Sequence, residues 1–266
     1  MESLHLCDKE RIASPHTLPA FIWRYSRRFC SHASAEDSGK SQYMRISHYS
    51  FDKLEIVRGD NRPVPNRFLR QEAKAEGFAL ILPGLRYTCD KPLLYYTTQV
   101  LASHGFDVLQ IWTDYASPEF EGLSQSEQFL WFLEDAKAAL AAGQARESYK
   151  RLVLTGKSIG TLTMAFLLSQ DPSIAQPITI WLTPLLNLSP VAEFTLGFES
   201  PALFAGGTQD STFVPGVASQ LKNKPKATTL VFEGANHSLE IPNDPLNSLR
   251  IMVEVIQGIA DFVAHP

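Results

Sequence analysis

Between Phe78 and Trp112 the apolar residues form two short runs, Phe78-Ala-Leu-Ile-Leu82 and Phe106-Asp-Val-Leu-Gln-Ile-Trp112. Leu93 to Ser103, between them, reads instead as a helix. Short apolar runs fit strands buried on both faces. The alternation then continues. Ser124-x-x-Glu127 is a capping box that opens a helix with Phe129, Phe132, Leu133, Ala136 and Leu140 on one face, ending near Gly143. Leu152-Val-Leu154, Ile178-Thr-Ile-Trp-Leu182, Ala202-Leu-Phe-Ala205 and Thr228-Thr-Leu-Val-Phe232 predict four more strands. A helix to about Gln170 follows the first of these, and an amphipathic helix over Leu246 to Val263 closes the chain. Strands alternating with helices predict an α/β domain, a mostly parallel twisted sheet with helices on both faces.

Upstream the rhythm differs. Ile46, His48, Phe51, Leu54, Ile56 and Val57, a turn through Gly59-Asp-Asn-Arg-Pro63, and then Val64, Phe68 and Leu69 predict an antiparallel N-terminal hairpin. Residues 1–40 form an extension to a main domain over 41–266. In the extension Leu18, Phe21, Ile22, Tyr25 and Phe29 share one helical face, with Arg24, Arg27 and Arg28 between them, and Pro19 suits a first turn. This basic amphipathic helix can pack on the main domain, over or near a cap on the site; a membrane-surface contact and a targeting segment are the alternatives. Asp8 and Glu10 weaken the targeting reading, and Ser31 to Ser41 reads as a linker.

Composition narrows the function. A chain of 266 residues can bury the core of one large α/β domain. With 24 Lys and Arg against 28 Asp and Glu, the net charge of −4 disfavours a nucleic-acid partner and leaves a small molecule as the expected one. Cys7, Cys30 and Cys89 are too scattered for a disulfide framework, and no C-x-x-C pair suggests zinc, so no metal or cofactor is expected. Reduced thiols predict a cytoplasmic protein. No apolar run approaches the ~20 residues needed to cross a bilayer, and the start lacks a basic-then-apolar leader layout.

The chemistry centres on Gly156-Lys157-Ser158-Ile159-Gly160, set between a strand and a helix. G-x-S-x-G at such a junction is a nucleophile elbow: a serine in a strained turn, with glycines where side chains would strike the strand or helix. Gly156-Lys157-Ser158 also imitates the end of a phosphate loop, but the first glycine of G-x-x-x-x-G-K-[ST] would fall at Arg151. Two later strands run into Gly206-Gly-Thr-Gln-Asp210 and Glu233-Gly-Ala-Asn-His237. A serine needs a nearby base to become nucleophilic, histidine can take and return that proton, and a carboxylate can orient the imidazole.

These residues carry a resemblance. Over roughly residues 50 to 264 the chain resembles the α/β-hydrolase superfamily, in the manner of a small-lid esterase or dienelactone hydrolase, through the elbow, Gly207-Thr-Gln-Asp210 and Gly234-Ala-Asn-His237 in that order. The resemblance implies Ser158 as nucleophile, His237 as general base then acid, and Asp210 as its orienting group. It also implies an oxyanion hole from the backbone N–H groups of Leu85 and Ile159, each such donor being worth roughly 3 to 4 kcal/mol. The Leu85 loop reads Leu82-Pro83-Gly84-Leu85-Arg86-Tyr87, with Pro83 where the superfamily usually has histidine. Gly84, Arg86 and Tyr87 are the candidate substrate contacts, although Arg86 also suits a solvent position. Strand-turn geometry aims Lys157 away from Ser158, and Cys89 reads as a packed thiol.

The interval Thr183 to Ser200 has room for one short helix as a cap, with Leu185, Leu186, Leu188, Val191, Phe194, Leu196 and Phe198 as its apolar residues. The expected function is a serine hydrolase of a small carboxylic ester or thioester. The alternatives are an acyltransferase with the same triad and a noncatalytic binding protein of that fold; peptidase activity also stays open, without a readable substrate-selecting acidic pocket.

Overall fold

The structure is a computed structural model and describes residues 49–172, 174 and 176–266. The amphipathic segment Pro19 to Phe29, the linker after it, and Ile46 and His48 of the hairpin lie outside the described residues.

Among the described residues eight strands form one sheet: β1 (Tyr49–Asp52), β2 (Asn66–Gln71), β3 (Gly77–Leu82), β4 (Phe106–Ile111), β5 (Leu152–Lys157), β6 (Ile178–Leu182), β7 (Ala202–Gly207) and β8 (Ala227–Phe232). Their order is β1-β2-β4-β3-β5-β6-β7-β8. β1 and β2 pair antiparallel, β2 and β4 likewise, and every pairing from β4 through β8 is parallel. The helices among the described residues are α1 (Pro92–Ser103), α2 (Pro118–Glu121), α3 (Gln125–Gln144), α4 (Ile159–Gln170), α5 (Ser189–Gly197), α6 (Pro215–Lys222) and α7 (Pro245–Ala264). The first hairpin strand ends earlier than the hydrophobic pattern suggests. Leu54, Ile56 and Val57 fall in a loop between β1 and β2, held by a bridge from Val57 to Pro63 and by the Asn66 side chain, which takes the Leu54 N–H at 2.9 Å and donates to the Leu54 carbonyl at 2.8 Å.

The central strands show why their sequences are unbroken apolar runs. Phe78, Leu80 and Leu82 of β3 point into one core with Leu133 and Leu140 of α3, Met164 and Leu167 of α4, Val191 of α5 and Leu221 of α6. The alternate residues Ala79 and Ile81 enter a second core with Leu93, Leu94 and Leu101 of α1 and Val255 and Ile259 of α7. Successive side chains leave a strand on opposite faces, so a sheet covered twice has no solvent face on which to place a polar residue. The capping box at the start of α3 forms: Ser124 N–H donates to Glu127 Oε2 at 2.8 Å, and Glu127 N–H to Ser124 Oγ at 3.4 Å. No helix among the described residues is long and apolar enough to cross a membrane.

β3 lies between β4 and β5, so the chain reverses its direction of travel across the sheet between β3 and β5. Loops leaving the carboxyl ends of strands on either side of such a reversal diverge and open a crevice. The two cores differ from the surface in a measurable way. Leu80 is fully buried and Leu249 on α7 is 63% exposed. Leu80→Ala is expected to lower unfolding free energy by about 2–5 kcal/mol, and Leu249→Ala by less than about 0.5, both read by urea denaturation.

Candidate active site

Ser158 is the single residue between β5 and α4. Its backbone adopts φ 54 and ψ −117, a region that costs an L residue about 1–3 kcal/mol. Two close approaches hold it there. A Cβ at Gly156 would lie 2.7 Å from the carbonyl oxygen of Gly160, and one at Gly160 would lie 2.4 Å from that of Leu82 and 2.8 Å from that of Pro83. The turn is further tied by Ser158 N–H to Leu182 O at 3.1 Å, and by Thr161, whose N–H and hydroxyl reach Ser158 O at 2.8 and 2.6 Å.

Asp210 and His237 arrive on the loops after β7 and β8. Those loops are bound to each other: Thr208 N–H donates to Phe232 O, Gln209 N–H to Ala235 O, and Gly234 N–H to Thr208 Oγ1, all within 3.0 Å. The approach is so tight that a Cβ at Gly207 would sit 2.1 Å from Ala235 O. The structure thereby brings Ser158, Asp210 and His237 into one line. His237 Nε2 lies 2.8 Å from Ser158 Oγ, and Nδ1 lies 2.7 Å from Asp210 Oδ2.

The Asp210 carboxylate fixes the proton on the His237 nitrogen that faces it. Burial works to raise the Asp210 pKa, but bonds from His237 and Thr212 outweigh it and hold the carboxyl below its ordinary value. An ionised carboxylate only accepts, so Nδ1 carries a proton, and in the neutral ring Nε2 accepts from the Ser158 hydroxyl. The other carboxylate oxygen takes the N–H and hydroxyl of Thr212 at 2.8 and 2.9 Å. The arrangement can therefore deprotonate a serine while holding the resulting imidazolium against a fixed anion.

The loop after β3 closes the other side. Gly84 and Tyr87 bond to each other's backbone at 3.2 Å, leaving Leu85 and Arg86 at the tip. A Cβ on Gly84 would stand 3.4 Å from Ser158 Cβ, so this backbone passes directly beside the serine. Among the described residues nothing accepts the N–H of Leu85 or of Ile159, whereas Arg86 N–H is taken by Asp114 O at 2.9 Å. The Arg86 side chain is exposed and turned outward to Glu121, at 2.7 Å. The Tyr87 hydroxyl accepts the Leu93 N–H at 3.3 Å, and burial raises its pKa to about 12. Cys89 is buried with its thiol toward Ile111 O, and burial pushes its pKa far upward, which makes it a poor nucleophile.

Lys157 makes no hydrogen bond to the Ser158 hydroxyl and does not reach solvent. It is 1% exposed. Its Nζ donates to Thr183 Oγ1 at 2.6 Å and to the carbonyl of His237 at 2.9 Å, under the face of the Tyr87 ring, whose centroid is 4.9 Å away. Burial lowers its pKa from 10.5 to about 8, against the opposing pull of Asp210. Thr161, Thr183 and Thr212 escape a sequence reading. The Asp210-x-Thr212 spacing suggests a local side-chain turn, but nothing in the sequence points to Thr183.

No protein-family model matches the chain, and neither does any curated protein. Solved structures do. The dienelactone hydrolase of Anabaena variabilis is 15% identical, with a TM-score of 0.62 over 82% of this chain and 98% of that one. Est1E of Butyrivibrio proteoclasticus, solved with ferulic acid bound, is 14% identical, with a TM-score of 0.60 over 79% of this chain and all of that one. An α/β serine hydrolase without a lid from Xanthomonas campestris is 13% identical, with a TM-score of 0.57 over 85% and 97%. The chain has the α/β-hydrolase fold.

The buried ammonium makes stability depend on pH with a definite sign. Between about 8, where folded Lys157 loses its proton, and 10.5, its ordinary value, the unfolded chain binds more protons, so this group makes stability rise with pH. The full gain is about 3 kcal/mol. Urea denaturation from pH 7 to 10.5 is expected to show this contribution as the difference between the native protein and Lys157→Met, because the buried Cys89 thiol and the Tyr87, Tyr115 and Tyr149 hydroxyls, whose raised pKa values work in the opposite sense, are common to both.

Proposed function

We propose that the protein is a serine hydrolase that cleaves a carboxylic ester or thioester of a small substrate through an acyl-enzyme on Ser158, and that residues 41–266 carry the activity. The observation that supports it most is the unbroken line from Ser158 Oγ to His237 Nε2 at 2.8 Å and from Nδ1 to Asp210 at 2.7 Å.

Ser158 Oγ attacks the substrate carbonyl as its proton moves to His237 Nε2. The carbonyl π electrons move to oxygen, and the N–H groups of Leu85 and Ile159 donate to that oxyanion. Both are without acceptors among the described residues, and each contributes roughly 3 to 4 kcal/mol to the barrier reduction. When the oxyanion collapses, the bond to the alcohol or thiol breaks and the leaving group takes the proton from Nε2. Water then repeats the sequence: His237 takes its proton, hydroxide adds to the acyl carbon, and Ser158 departs with that proton. Asp210 stays ionised throughout and stabilises the imidazolium in each half.

The backbone of Gly84 passes beside Ser158, and substrate passes over it. Of the other candidate contacts, Arg86 is held by Glu121, and the Tyr87 hydroxyl is occupied by Leu93 N–H. A small substrate fits the slight cap. The interval from Thr183 to Ser200 contains only α5, and its Leu186 and Val191 are buried in the core below. The esterase, dienelactone hydrolase and lidless serine hydrolase of similar fold are in keeping with this reading.

Purified protein treated with a fluorophosphonate probe is expected to label on one serine and to hydrolyse p-nitrophenyl esters. Ser158→Ala and His237→Ala are each expected to lose about 10⁴- to 10⁶-fold in turnover, with labelling abolished in Ser158→Ala. Labelling and turnover that persist in Ser158→Ala would overturn the assignment.

A further inference from the structure

Lys157 occupies a position where a methionine would fill similar space at less cost. An ammonium taken out of water is destabilising unless its hydrogen bonds replace the lost hydration, and no ion pair to a carboxylate forms here among the described residues. What it gains is a junction of three segments. Its own strand β5 leads into Ser158, the Thr183 hydroxyl comes from the end of β6, and the His237 carbonyl comes from the loop after β8.

Two further observations make that junction specific to the histidine. Among the described residues the bond from Lys157 is the only hydrogen bond made by the backbone of His237; the remaining two are those of its ring. Thr183 is held at φ 42, a left-handed conformation that a β-branched residue rarely adopts, with its N–H bound to Ala205 O at 2.7 Å. Backbone strain of this kind persists only where surrounding structure enforces it, and its effect here is to present a hydroxyl 2.6 Å from the ammonium. The Tyr87 ring covers the same group from the β3 loop.

We propose that Lys157 is a positioning residue: by holding the His237 carbonyl it sets where the imidazole stands over Ser158, with Thr183 aiming the ammonium. The proposal rests on the hydrolase reading above, because the imidazole it positions is the base of that reaction. Lys157 is buried and bonded to Thr183 and His237, with no hydrogen bond to the Ser158 hydroxyl, so its removal is expected to act on turnover and not on binding. A misplacement of about 1 Å in a reacting group is enough to cost about 100-fold.

The test compares Lys157→Met and Thr183→Val with the wild-type protein on a p-nitrophenyl ester, alongside the proton NMR signal of the His237 Nδ1–H bonded to Asp210. Lys157→Met is expected to fold, with a thermal midpoint no lower than wild type at pH 7. Its kcat is expected to fall about 10- to 100-fold while KM stays within about two-fold, with the His237 signal shifted or broadened. Thr183→Val keeps the lysine and its bond to His237, and an intermediate loss of about three- to ten-fold in kcat is expected. Wild-type kcat in Lys157→Met, a loss confined to KM, or a lower kcat with an unmoved His237 signal would each overturn the proposal. If Lys157→Met does not fold, Thr183→Val decides by the same readings, and wild-type kcat with an unmoved signal overturns it. Failure of the hydrolase reading looks different: wild-type protein neither labels with fluorophosphonate nor turns over ester, or Ser158→Ala still labels, and either result removes this proposal as well.

Discussion

Backbone crowding between β5 and α4 is the constraint on which the site depends. The helix starts so close to the strand it follows, and to the end of β3 beside it, that positions 156 and 160 leave no room for a Cβ. A chain forced through that gap must turn within one residue, and Ser158 takes the turn at φ 54. The strain is sustained by what lies below: β5 is paired on both sides and its residues are buried in both cores, so the local cost of a few kcal/mol cannot relax by moving the strand. A serine on a relaxed turn would have several rotamers and several positions. This one projects from a single point.

A second crowding places the partners. The loops after β7 and β8 approach until Gly207 meets the Ala235 carbonyl, and three hydrogen bonds join them. Asp210 and His237 are 27 residues apart in sequence and His237 is 79 from Ser158, yet the parallel order β5-β6-β7-β8 sets all three loops on the same edge of the sheet. Within that frame the electrostatics are local. Asp210 has both oxygens engaged by His237 and Thr212, and the buried ammonium of Lys157 provides the opposite charge. Fixed dipoles and charges of this kind need no rearrangement when charge develops on the imidazole.

The strands were legible because burial on both faces leaves an uninterrupted apolar signature, and the capping box made the start of α3 legible as well. Legibility failed where side chains did not carry the structure. β5 and β7 extend to Lys157 and Gly207, beyond their apolar runs, because backbone pairing with β6 and β8 continues through polar and glycine positions. α2 and α6 are short helices opened by Pro118 and Pro215, too brief for a periodic face to stand out. Part of the hydrophobic cap proved to be core: Leu186 and Val191 are buried in the cluster that also contains Met164, Leu167 and Phe204.

By itself the sequence determined the alternation of strand and helix, the glycines that flank Ser158, and the order serine, aspartate, histidine on three strand-to-loop transitions. Those are local properties, set by side-chain period and backbone sterics within a few residues. Tertiary structure alone decided where the long side chains end. Lys157 passes by Ser158 and finishes at Thr183 and His237, Arg86 turns to Glu121, and the Tyr87 ring covers an ammonium. A lysine or arginine reaches about 6–7 Å from its own backbone, and what waits at that distance is fixed by sheet order and register between strands far apart in the chain. No pattern within β5 records that the end of β6 and the loop after β8 will meet beside it.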